Sequence, residues 1–113
     1  MRDLANNVVV AQSIAPVTGT ADANGTGVDL AGFESATIVV NTGVEGDTLS
    51  SSVKIDFILE DSSDDSTYAA VTSGIIDATA SATGIILTLD ANAETPQVTV
   101  VGYESIRRRG VVR

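Results

Sequence analysis

Histidine, cysteine and tryptophan are missing from this sequence altogether, proline occurs twice, and lysine occurs once, as Lys54. Without histidine and cysteine there is no Ser-His-Asp or Cys-His nucleophilic machinery, no thiolate chemistry and none of the usual zinc ligands. No disulfide can brace the fold. No run approaches the roughly 20 apolar residues that a membrane-spanning helix needs. The opening Met1-Arg2-Asp3-Leu4 carries one basic residue with no long apolar segment behind it, unlike a secretion signal. The expectation is a protein made and used without crossing a membrane by the standard route. Aromatic residues are scarce too: Phe33, Phe57, Tyr68 and Tyr103 are all there are. Valine, isoleucine, leucine and alanine must therefore supply the core, at about 25 cal/mol per Å² buried. Alanine is too small to add much, so the core should be thin and gain stability from neighbours.

At 113 residues the chain reads as a single domain, 1–113. Its formal net charge is −9, unevenly spread. Up to Ile106, Arg2 and Lys54 face all fifteen acidic residues, while Arg107, Arg108, Arg109 and Arg113 crowd into the last seven positions. An acidic body repels nucleic acid and anionic membranes, so neither is expected as a partner. The basic tail, 105–113, has two readings: a solubilising end, or a grip on an acidic protein surface through arginine forks that pair with carboxylates. Nucleic-acid binding fits less well, because Tyr103 is the sole nearby aromatic for stacking bases.

What is present is alternation and β-branched runs, broken every eight to a dozen or so residues by Gly, Asn, Asp and Ser. That spacing predicts an all-β domain, a single β-sandwich or barrel of about seven short, mostly antiparallel strands. The clearest strand is Val53–Glu60, with Val53, Ile55, Phe57 and Leu59 on one face and Lys54, Asp56 and Glu60 on the other. The turn-forming run Asp61-Ser62-Ser63-Asp64-Asp65-Ser66 follows, and Thr67–Val71 returns as the second arm of a hairpin. Val8–Ile14 is a further candidate strand inside an N-terminal arm, residues 1–15. Val28–Leu30, Ala36–Asn41, Ile85–Leu89, Gln97–Val101 and Val111–Val112 complete the set, with Ala36, Ile38 and Val40 sharing a face. Thr18–Gly27, Gly43–Ser52 and Asp90–Pro96 read as loops, and Ile75–Thr83 as coil or edge strand. A single lysine leaves little of the common protection against edge-to-edge pairing, which suits a subunit that docks in an assembly.

Chemistry finds few footholds. A carboxylate pair acting on a glycosidic bond is the remaining route to catalysis, but such sites stack sugars on aromatic faces, so the balance points away from an enzyme. Asp61, Ser63 and Asp65 alternate as calcium ligands do, yet the required glycine is Ser66 and the closing acid is Thr72, which favours a solvated hairpin tip. Gly25-Thr26-Gly27 lacks the strand, helix and lysine of a phosphate loop, and Asn24-Gly25-Thr26 matters as a glycosylation sequon in a secreted eukaryotic protein alone. No cofactor or metal site is expected.

Four blocks carry a resemblance: Asp3-Leu4-Ala5-Asn6-Asn7-Val8-Val9-Val10, the stretch from Gly27 to Ala36, the stretch from Phe57 to Val71, and Val101-Gly102-Tyr103 leading to the arginines and Val111-Val112-Arg113. In this order they resemble small tailed-phage and prophage head proteins, thought to be capsid decoration or cement proteins. The resemblance implies a virion protein on the outer capsid surface, made in the bacterial host cytoplasm. Its partners would be the major capsid protein and further copies of itself, as a trimer or other homo-oligomer, often around local three-fold positions. The contact residues expected on this reading are Arg2, Asp3, Leu4, Asn6, Asn7, Arg107, Arg108, Arg109 and Arg113. Two alternatives stand beside it. One is a head-tail connector or tail component, which would form a closed ring at one vertex. The other is a soluble glycan-binding or surface-binding module using loops Gly43–Ser52 and Ser62–Ser66, which the lack of aromatics disfavours.

Overall fold

The computed structural model describes residues 3, 5–33, 35–76, 83–104 and 111–112, without the side chains of Ile76, Val111 and Val112. It is all-β, with nine strands among the described residues: β1 (Val28–Asp29), β2 (Ala36–Thr42), β3 (Ile55–Ile58), β4 (Glu60–Ser62), β5 (Ala69–Ala70), β6 (Ile75–Ile76), β7 (Ile85–Leu89), β8 (Gln97–Tyr103) and β9 (Val111–Val112). One 3-10 turn, Asn92–Glu94, lies before β8. All pairings are antiparallel, in three small sheets of order β1-β9-β4-β5, β2-β8-β6 and β3-β7. The sheets do not close into a barrel.

The longest ladder joins β2 to β8, from Ala36 opposite Tyr103 to Thr42 opposite Gln97 without a slip. β2 is rich in Thr, Ile and Val, whose branched side chains pack well on a pleated surface. Its expected inner row is confirmed and lengthened by Thr42: Ala36, Ile38, Val40 and Thr42 are half-buried while the residues between them are exposed. β8 turns Val101 and Tyr103 fully inward and runs two residues beyond the expected end.

The strand expected over Val53–Glu60 is instead two strands in different sheets. β3 pairs with β7, with a register shift between Phe57 and Ile58, and β4 pairs with β5 and β9. Leu59 is the corner between them. Its N–H donates to the Gly84 carbonyl (3.0 Å) and its carbonyl accepts from the Val71 N–H (2.9 Å). Strands commonly switch sheets at such irregularities. Gly84 is required there, at φ +76°, because a Cβ would stand 2.9 Å from both the Leu59 carbonyl oxygen and the Ala70 Cβ. The single-face reading of Val53, Ile55, Phe57 and Leu59 fails for the same reason: Leu59 is buried, Phe57 half-buried, and Val53 and Ile55 exposed.

The hairpin is present, shorter than expected. Glu60 and Asp61 pair with Ala70 and Ala69, so Asp61 and Ser62 belong to a strand rather than to the turn. Val28–Leu30 shortens to β1, and the turn after it closes with Phe33 N–H donating to the Leu30 carbonyl (3.0 Å) over Gly32 at φ +84°. β6 takes the outer place in its sheet, as an edge strand should, and residues 77–82 of that stretch lie outside the described residues. Val8–Ile14 forms no strand. Strand propensity without a partner edge does not make a strand, because the propensity records packing on neighbours.

Leu30, Leu59, Val71 and Tyr103 form the core cluster, with Val28, Ala36, Ile38, Ile75 and Ile86 packed around it. The Tyr103 hydroxyl donates to Asp61 (2.8 Å), which satisfies the polar end of the cluster's one aromatic side chain.

Candidate interaction surfaces

Three of the expected contact residues make a local turn. The Asp3 carboxylate accepts from the Asn6 N–H (3.3 Å) and the Asn6 side-chain amide (2.5 Å), and the Asn7 amide donates to the Asp3 carbonyl. These side chains are exposed and bonded mainly to one another. Arg2, Leu4, Arg107, Arg108, Arg109 and Arg113 lie outside the described residues. The position of β9 nevertheless changes how the tail is read. Val112 is opposite both Val28 and Asp61, so β9 is an interior strand with β1 on one side and β4 on the other. Removing 107–113 would take out the middle of a sheet as well as four arginines.

Beyond the turn the arm is held at one point. The Ser13 carbonyl accepts from the Thr26 N–H, and the Ser13 hydroxyl donates to the Thr26 carbonyl, both at 2.8 Å. Gly25 permits this approach, since a Cβ there would collide with the Ser13 hydroxyl. Ile14, Asn24 and Gly25 line a shallow depression with Ile58 and Glu60, of about 110 Å³. Ahead of the anchor, Val9 and Val10 are 72 % and 90 % exposed.

A second apolar surface lies on the outward side of the β2–β8 ladder. Val39 is directly opposite Val100, and Val98 is the next outward residue of β8. They are 60 %, 57 % and 63 % exposed. Sequence reasoning identified the inner row of β2 and missed this outer one. The available signal was in β8, where valine occupies consecutive positions and so must appear on both faces. Among the described residues thirteen large hydrophobics are exposed against six buried ones. The expected thin core is found, and exposed large hydrophobics outnumber fully buried ones about two to one, with the rest half-buried.

The polar clusters are internally satisfied. Asp64 organises the hairpin tip: its Oδ1 accepts from the Ser62 hydroxyl (2.8 Å), the Ser66 N–H (3.0 Å) and the Thr67 N–H (2.9 Å). Those bonds, led by the Thr67 amide, hold its carboxyl far below the usual range. Of the calcium-like positions, Asp61 accepts from the Tyr103 hydroxyl and Asp65 from the Tyr68 hydroxyl. Glu45 is held low mainly by the Thr95 hydroxyl, which ties the 43–52 loop to the turn before β8. Asp56 is held low mainly by the Thr88 hydroxyl (2.6 Å) across the β3–β7 ladder, with Lys54 contributing at 3.2 Å.

Comparison with protein-family models, with curated proteins and with solved structures returns no match.

Proposed function

We propose that this chain is a virion structural protein, a capsid decoration (cement) protein that binds the outer surface of a phage head and stabilises contacts between major capsid subunits. The observation that carries an assembly role is the outward placement of valine and isoleucine over a small core. A monomeric soluble domain rarely exposes a large contiguous apolar surface, and such surfaces mark sites of association. A subunit repeated over an icosahedral lattice gains avidity from many weak contacts, so a thin core suffices. The phage head enters through the four sequence blocks that resemble small phage head proteins. The Ser- and Asp-rich hairpin tip would face water, and the apolar ladder face and the arm would face protein.

The test is to count copies of this chain in a purified virion by quantitative mass spectrometry. Hundreds of copies, on the scale of an icosahedral lattice, are expected. About a dozen would move the chain to a ring at the portal or tail, and none would overturn the virion reading.

A further inference from the structure

Two parts of the molecule are unfinished in complementary ways. Among the described residues β2 is the outer strand of its sheet, and its seven residues run in regular register with no lysine, proline or bulge. An edge of that kind presents a row of unpaired N–H and C=O groups to any strand that arrives. The arm is such a strand in waiting: residues 8–12 are exposed, begin with three valines and belong to no strand. Extended, they cover about 17 Å of the about 23 Å that β2 spans.

We propose that a second copy of this chain completes both parts. The segment from Val8 to Gln12 of one molecule adds as an extra strand to the free edge of β2 in another. Side chains alternate along a strand, so Val8 and Val10 fall on one face and Val9 on the other. In either register the added strand lays valine beside Val39 on the outer face or beside Ile38 and Val40 on the inner one. The Ser13–Thr26 anchor keeps the base of the arm on its own molecule while the part ahead of it crosses.

Charge selects the occupant. Copies of a chain with net charge −9 repel wherever their acidic surfaces meet. Yet no charged residue falls within 5–21, 35–44 or 95–103, the stretches that hold the valines of the arm, β2 and β8. Copies can approach through these segments without stripping water from a carboxylate. The proposal stands independently of the phage reading, because it concerns the isolated chain.

The test is sedimentation equilibrium of the full chain from micromolar to millimolar concentration, with amide exchange followed in parallel. Concentration-dependent association is expected, with residues 8–12 and 36–42 gaining protection together. Replacing Val9 and Val10 by proline removes consecutive N–H groups, one of which must face β2, and should weaken association at least tenfold. Val39→Lys restores a guard to the edge strand and should do the same. Val53→Lys, an exposed position outside the three segments, should leave association unchanged. Circular dichroism of each variant establishes that it is folded. A chain that stays monomeric throughout overturns the proposal, as does association that survives both the proline and the Val39→Lys changes. Protection of residues 8–12 in the monomer would also overturn it, since the arm would then pair within its own molecule.

Discussion

Along β3–β7, Lys54 stands at the entry to β3 and pairs with Asp56, Asp56 takes the Thr88 hydroxyl across the ladder, and the register slips between Phe57 and Ile58. Along β2–β8, the pairs run from end to end without a slip and without a charged side chain. Both ladders are largely apolar, the first built from isoleucine and leucine and the second mainly from valine. The first carries two of the devices by which proteins keep a sheet edge to themselves, a lysine and a bulge. The second carries none and shows valine on its outer face. Protection is thus present on one ladder and absent from the other, which is why the proposed contact is placed on β2.

The harshest way to break this comparison is to cut the guarded ladder from the hairpin at its corner. Leu59→Ala should cost about 2–5 kcal/mol, because Leu59 is buried where β3 passes into β4 and little can collapse into the gap. Urea unfolding measures it. A loss well under that range would mean that the corner is not a joint between sheets.

The two faces of the open ladder can be set against each other next. Val101→Thr places a hydroxyl in the core and should cost about 1–3 kcal/mol. Val100→Thr, one residue away on the outward face, should stay within about 0.5 kcal/mol. Equal costs would contradict the assignment of faces.

Acid separates the regions by a different route. The pKa values of Asp64 and Asp56 are lowered in the folded state, so the stability each contributes is complete above the ordinary aspartate value of about 3.9. That contribution is lost as pH falls from there through the depressed folded values. Protection from amide exchange, relative to the intrinsic rate at each pH, should therefore fall at the hairpin tip and in β3–β7 between pH about 5 and about 2, ahead of β2–β8, whose strands hold no carboxylate. Simultaneous loosening of both ladders would show that these carboxylates do not act locally.

The smallest effect on stability is expected from Lys54→Thr. An exposed ion pair contributes little, so the thermal midpoint should not move measurably. Removing the lysine should instead raise self-association by opening a second edge, read by sedimentation. No change would leave the bulge as the guard of that ladder.

Much of the fold was legible in order along the chain. Alternation in Ala36–Asn41, the β-branched runs of β7 and β8, and the turn residues around Gly32 and Asp64 located their elements, because period-two burial and turn chemistry are local properties. The thin core followed from composition. Misreadings fell where a strand's partner decides its fate. Val53–Glu60 alternates at every position but Ile58, yet Leu59 hands the chain from one sheet to another through bonds to Gly84 and Val71, both more than ten residues away. Val8–Ile14 has ample strand propensity and found no edge. The candidate surface was half visible: the arm was singled out for its resemblance block and its basic residue, whereas its valines and the outer row of β8 are what the structure exposes.

By itself the sequence determined an all-β chain, its aliphatic core and the exclusion of histidine and cysteine chemistry, since residue types and near-neighbour spacing suffice for those. The tertiary structure alone decided which strands pair, that β9 is an interior strand, and that β2 keeps a free edge. Pairing joins residues distant in sequence, and the hydrogen bonds that choose between edges come from backbone groups that every residue shares.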